Sequence, residues 1–193
     1  MRVLIACEFS QIVTMAFRAK GHDAVSCDIL PTDGDPAWHI QDDVINLLDP
    51  FNEWDMMIAF PPCTYLCSSG LHWNKRRSDR QAKTEKAIDF VRFLLDAPID
   101  KIALENPVGC ISTRIRKPDQ IIQPWMFGED ASKTTCLWLK GLPLLRPTNI
   151  IKKNRYANQT PSGQNKLGPS PDRAKIRGTT YTGIAKAMAD KWG

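Results

Sequence analysis

Trp54-Asp55-Met56-Met57-Ile58-Ala59-Phe60-Pro61-Pro62-Cys63 is the stretch that decides the fold. Its apolar run is continuous rather than alternating, which reads as a strand covered on both faces, as in a parallel sheet. Pro61-Pro62 ends the strand abruptly, because proline fixes φ and lacks the amide donor that a ladder needs. Cys63 therefore stands at the carboxyl end of a buried strand, on a stiff turn.

Other elements follow outward from this strand. Arg2–Cys7 is a short apolar run that predicts a first strand, and Ala24–Asp28 predicts a second. Gln11–Lys20, with apolar residues at 12, 13, 15, 16 and 17, predicts a helix stopped by Gly21. Asp43–Leu47 is a third, shorter candidate, either a strand or a helical turn. Lys83–Leu95 predicts a helix, Lys101–Leu104 a strand ending at Glu105-Asn106-Pro107, Thr135–Leu139 a further strand, and Gly183–Trp192 a terminal helix. The alternation predicts an α/β fold of Rossmann-like type, a mainly parallel sheet with helices on both faces. Ligands of such sheets bind beyond the carboxyl ends of the strands. Glu8, Asp28, Asp43, Cys63, Glu105 and Asn106 occupy those ends.

The 193 residues suit a single domain spanning 1–193, and 42% hydrophobic with 24% charged residues is ordinary for a globular protein. Val3–Cys7 is too short for a signal peptide or membrane span, so a cytoplasmic protein with no membrane partner is expected. The cysteines at 7, 27, 63, 67, 110 and 136 are scattered, which argues against a disulfide framework. Cys63 and Cys67 have no second Cys or His pair at zinc-site spacing, so no metal is expected. The net charge of +5 is concentrated in Lys75–Lys86 and Lys152–Arg177, both loop-like by composition. Two basic loops flanking a strand-end site suit a polyanionic partner such as nucleic acid. Residues 154–180 form a long basic polar loop without apolar periodicity.

Three motifs carry chemistry. Alone, Cys63 reads as an inert thiol behind a Pro-Pro turn; as a thiolate it is a strong nucleophile, and stiff positioning favours attack. Glu105, ending the next predicted strand, supplies an acidic group beside it. Thr113-Arg114-Ile115-Arg116 sets two arginines on one side of a predicted extended segment, a clamp for a phosphate or a base carbonyl.

In this order and at this scale, the motifs resemble those of the cytosine-carbon-5 DNA methyltransferases. Pro61-Pro62-Cys63 is similar to the family's catalytic Pro-Cys, Glu105-Asn106 to its Glu-Asn-Val with Pro107 for Val, and Arg114-x-Arg116 to its arginine pair without the preceding Gln. Glu8-Phe9-Ser10 stands where the family has its cofactor loop, and Thr182–Ala189 resembles its closing motif. The small size is similar to compact phage and mobile-element members. The resemblance implies S-adenosylmethionine as cofactor and cytosine in DNA as substrate. Cys63 would attack carbon 6, Glu105 would bind ring nitrogen 3 and the amine, and Arg116 with Arg114 would hold the carbonyl. Glu8, Phe9, Ser10 and Pro61 would line the cofactor. Asp28, 20 residues after Glu8, is placed to bind ribose hydroxyls, and Asp43 to meet the adenine amine. Thr64–Lys83 would be a closing loop hinged at Ser68-Ser69-Gly70, with Lys75, Arg76, Arg77 and Arg80 on phosphates.

The chain departs from the family at two places. Phe9-Ser10-Gln11-Ile12 carries no glycine where the family has a glycine-rich turn. The large target-recognition region shrinks to Lys117–Tyr181, which leaves little or no separate recognition domain and makes a homodimer or partner subunit a candidate source of target recognition. Two other functions are compatible with these residues: modification of a free pyrimidine nucleotide or addition of another group at carbon 5, and nucleic-acid binding on a catalytically degenerate scaffold.

Overall fold

The apolar runs assemble into one seven-stranded sheet in the computed structural model, which describes the backbone of all 193 residues and every side chain except those of Pro50, Lys75 and Ser78. The strands are β1 (Arg2–Ala6), β2 (Asp23–Asp28), β3 (His39–Gln41), β4 (Met56–Ala59), β5 (Lys101–Pro107), β6 (Gln120–Ile122) and β7 (Thr135–Lys140). Their order is β3-β2-β1-β4-β5-β7-β6. The first five strands in that order pair in parallel, whereas β7 runs antiparallel to both β5 and β6. This mixed sheet with one reversed strand, covered by helices, is a Rossmann-like α/β fold.

The helices are α1 (Ile12–Arg18), α2 (Ser68–Leu71), α3 (Ser78–Leu95), α4 (Ile111–Arg114), α5 (Arg173–Gly178) and α6 (Thr182–Trp192). Successive strand residues point to opposite faces, and each face has its own cover. Leu4, Met57, Ile102, Leu104 and Trp138 pack with Ile88, Val91 and Leu94 of α3. Val3, Ile5, Met56, Ile58 and Leu137 pack with Val13 and Phe17 of α1 and with Ile184, Met188 and Trp192 of α6. Two-sided cover explains why the strands are apolar throughout, and each fully buried Leu or Ile contributes about 1.5–3 kcal/mol.

Several expectations are corrected. The third strand is His39–Gln41; Val44–Leu47 is a 3₁₀ turn, with the Asp43 carboxylate accepting from Ile45 N at 3.1 Å. Lys75–Lys86 is not a loop but the end of a 3₁₀ turn and the start of α3. Ser68-Ser69-Gly70 is not an open hinge, because it belongs to α2. Thr113–Arg116 is not extended, since Ile111–Arg114 forms the turn α4. The polar stretch 154–180 contains one helix, α5. Among the described residues no helix is long and apolar enough to cross a membrane.

Candidate active site

The parallel register sets Ala59, the last residue of β4, beside Leu104, while β5 runs on to Pro107, so the Pro61-Pro62-Cys63 turn and Glu105 come to the same sheet edge. Asn106, 1% exposed, ties the two ends: its amide donates to Pro61 O at 2.8 Å. Beyond the prolines, Leu66 N and Cys67 N both donate to Cys63 O at 3.0 Å, closing a tight turn. The segment after β5 zips onto that turn through Ser68 N to Val108 O, 3.0 Å, and Cys110 N to Leu66 O, 2.9 Å. Gly109 sits at the point of closest approach, where only a residue without a β-carbon fits.

Cys67 belongs to this site. Its thiol is hydrogen-bonded to Cys63 and lies 3.2 Å from Ser69 Oγ. The hydrogen bond from Cys63, with help from Ser69, Gly70 N and the charge of Arg177, lowers the Cys67 thiol to about 5. The same bond, with burial and the charges of Cys67 and Glu105, pushes Cys63 above the ordinary thiol range. The pair thus gives up one proton readily and holds the second.

Glu105 lines a pocket with Phe60, Lys133, Thr135, Thr180, Tyr181, Ile184 and Met188. Burial raises its carboxyl above the ordinary range, against the opposing Lys133 charge and a hydrogen bond from Thr135. A carboxyl raised on folding binds its proton more tightly in the folded state. It therefore favours folding below the ordinary carboxylate range and loses that contribution as pH rises through the raised value. Wild-type unfolding free energy should accordingly fall more steeply than that of Glu105→Gln as pH rises above the ordinary carboxylate range. Urea unfolding at each pH measures this, and parallel profiles would contradict it.

The predicted arginine clamp is not assembled at this site. Arg114 forks onto Glu85 of α3, at 3.1 and 2.5 Å. Arg116 pairs with Asp119 at 2.7 Å and donates to Leu139 O at 3.0 Å, while its own carbonyl accepts from the buried Trp138 indole at 2.8 Å. Arg80 folds inward onto Thr64 O, 2.7 Å, and Gly70 O, 3.2 Å, so it braces the Cys63 loop. Arg76 lies over Trp73 and Arg77 beside Asp79; the Lys75 side chain lies outside the described residues.

On the cofactor side, Glu8 is 4% exposed and accepts from Val13 N at 2.7 Å, Thr14 N at 3.1 Å and Thr14 Oγ1 at 2.7 Å. Its carboxylate thereby occupies the amino terminus of α1, where a dinucleotide fold would hold a pyrophosphate. The missing glycines are replaced in conformation: Cys7 and Gln11 take left-handed φ values of 58° and 57°. Gln11 is locked there by its side chain, which accepts from Asp35 N at 2.8 Å and donates to Asp35 O at 2.9 Å. Gly34 leaves the room that the Gln11 amide needs. Asp28 and Asp43 both act electrostatically on Cys7 at the ends of β1 and β2, so the two carboxylates flank one place on the sheet edge. Ser10 donates weakly to Glu8 at 3.4 Å, and the Phe9 ring lies under Lys175 of α5, which also pairs with Asp33 at 2.5 Å. Helix α5 therefore spans from the Phe9 loop toward Lys133, whose ammonium donates to Arg177 O at 2.9 Å.

Sequence reasoning missed Cys67, Lys133 and α5. The four-residue spacing of Cys63 and Cys67, one helical turn, was the available signal for the first. The other two had none, because tertiary pairing places them.

No family model matches the chain, and no curated protein matches it. Among solved structures it is similar to a protein described as a DNA modification methyltransferase encoded within an E. coli prophage. That likeness has 15% identity and a TM-score of 0.46, and it covers 78% of this chain. The chain spans about half of that protein's length (52%).

Proposed function

We propose that this chain is an S-adenosylmethionine-dependent DNA cytosine-5 methyltransferase with Cys63 as its nucleophile. The observation that carries the reading is that Cys63, on the turn after β4, and Glu105, near the carboxyl end of the adjacent parallel β5, share one sheet edge tied together through Asn106 and Pro61. A thiol and an acidic group side by side suit attack on an electron-poor ring that must be hydrogen-bonded as charge develops.

The cofactor edge supports the same reading. With Glu8 occupying the amino terminus of α1, the site suits a cofactor without phosphate and with a positive charge, and S-adenosylmethionine is such a molecule. Asp28 and Asp43 would hold its ribose and adenine, and Phe9, Ser10 and Pro61 would line it. When bound, it supplies an electrophilic methyl group.

The residues of the chain do the rest. The Cys63 thiol passes its proton to the Cys67 thiolate as its sulfur forms a bond to carbon 6 and the carbon 5–carbon 6 π pair shifts into the ring. Glu105 hydrogen-bonds ring nitrogen 3, where negative charge collects. Carbon 5 becomes enamine-like and nucleophilic. Carbon 5 would bond the methyl group and give its proton to water, and the electron pair left behind restores the carbon 5–carbon 6 double bond as the sulfur–carbon bond breaks and frees Cys63. In a duplex this requires extruding the base.

Incubation with cytosine-containing DNA and methyl-labelled cofactor should place label on carbon 5, and DNA containing 5-fluorocytosine should trap a covalent adduct. Folded protein that binds both partners and leaves cytosine unlabelled would sink the reading. One observation favours the free-nucleotide alternative: residues 154–180 hold only the six-residue α5 and no separate recognition domain. Deoxycytidine monophosphate run beside the DNA separates the two substrates.

A further inference from the structure

We propose that Lys133, rather than Arg114 or Arg116, is the charge-stabilising residue that faces the substrate in the Cys63–Glu105 site. The inference rests on the cytosine-modifying reading above. Attack of a thiolate on a pyrimidine builds negative charge in the ring, and a preorganised cation in a water-poor pocket stabilises that charge strongly. The sequence motifs assign this task to the arginine pair. In the structure both guanidinium groups are engaged elsewhere, one on Glu85 and the other on Asp119 and Leu139 O.

Lys133 lines the pocket with Glu105 and Phe60. It lies two residues before β7, the reversed strand, so the beginning of that strand opens onto the active edge: Thr135 pairs with Pro107 and Cys136 with Asn106. The backbone that presents it is clamped on two sides. Gln123, just past β6, accepts from Lys133 N at 3.0 Å and donates to Thr134 Oγ1 at 2.7 Å. Asn158 accepts from Ser132 N at 2.9 Å and donates to Ser132 O at 2.8 Å. The Lys133 ammonium spends one bond on Arg177 O, 2.9 Å away, and an ammonium has three donors. Its charge also reaches both partners of the reaction, favouring the ionised forms of Cys63 and Glu105. The other charged or titratable groups facing Cys63 are Cys67 and Glu105, and Arg177 faces Cys67.

The test compares wild type with Lys133→Met, Lys133→Arg and Arg116→Ala. Two readouts are followed: the rate of adduct formation on DNA containing 5-fluorocytosine, and the pH profile of Cys63 alkylation by iodoacetamide, read by peptide mass spectrometry. Lys133→Met should slow the adduct by about 10²-fold and move the Cys63 alkylation midpoint upward. Lys133→Arg should restore most of both, and Arg116→Ala should leave the alkylation midpoint in place. Lys133→Met within twofold of wild type in rate, with an unmoved midpoint, would overturn the proposal. A wild type that forms no adduct would overturn the methyltransferase reading instead. The alkylation midpoints would then still decide whether Lys133 is the cation acting on Cys63.

Discussion

Replacing Cys63 with alanine is expected to lower methyl transfer to cytosine by about 10⁴-fold or more and to abolish the adduct on 5-fluorocytosine DNA. On the proposed mechanism Cys67 accepts the Cys63 proton and Glu105 is an acid partner rather than a carbon nucleophile, so Cys63 alone bonds carbon 6. The fold should persist, because Cys63 is half-buried and alanine removes only the thiol bond to Cys67, an effect on stability of about 1 kcal/mol. Radiolabel transfer, adduct yield on denaturing gels and a thermal melt together decide this. A variant that keeps more than a tenth of wild-type transfer would remove Cys63 from the chemistry. A second consequence concerns the thiol left behind. Cys67 loses its bond from Cys63, so its alkylation midpoint should rise from the low value that this bond helps to set.

Gly109→Ala is expected to damage the site without touching a reacting group. A β-carbon at 109 would overlap Leu66 O, and it would lie 2.8 Å from the Leu66 carbonyl carbon and 2.9 Å from Cys67 Cα. All of these are backbone atoms, so no side chain can rotate away. The turn from Cys63 to Cys67 must move, at a cost of about 1–3 kcal/mol in stability. A displacement of this kind near 1 Å typically costs about 10²-fold in rate. Urea unfolding should show the lower stability, and adduct formation should slow in the same variant. Wild-type adduct kinetics in Gly109→Ala would show that the Cys63 turn is not held from β5.

The parts of this architecture that could be read from the sequence are those dictated by local chemistry. β1, β2, β4 and β5 are continuous apolar runs, and burial on both faces is what such runs mean. β3 and β6 escaped notice because each is three residues long and lies at an edge of the sheet, where the neighbouring strand rather than composition selects the conformation. That Cys63 and Glu105 share one sheet edge was legible because each belongs to the carboxyl-terminal part of an apolar run. Arg114 and Arg116 do not share one side of an extended segment because the turn α4 ends between them, which composition does not record. Lys133 was invisible: 28 residues separate it from Glu105, and only the insertion of β7 beside β5 brings the two together. The absent glycines misled for a related reason. Gln11 adopts the glycine-like conformation at a strain of about 1–2 kcal/mol, offset by its bonds to Asp35.

The reversed direction of β7 bears on how chains of this kind diverge. In the parallel strands the proposed site lies at or beyond the carboxyl end, so drift in specificity would be recorded there. In β7 the order is inverted, and the flank at the proposed site is the one upstream, residues 128–134. Substitutions there should therefore track changes at 63–70 and 106–110 when relatives are aligned. The turn at 141–144, beyond the other end of the strand and beside Asp100, should drift independently of them.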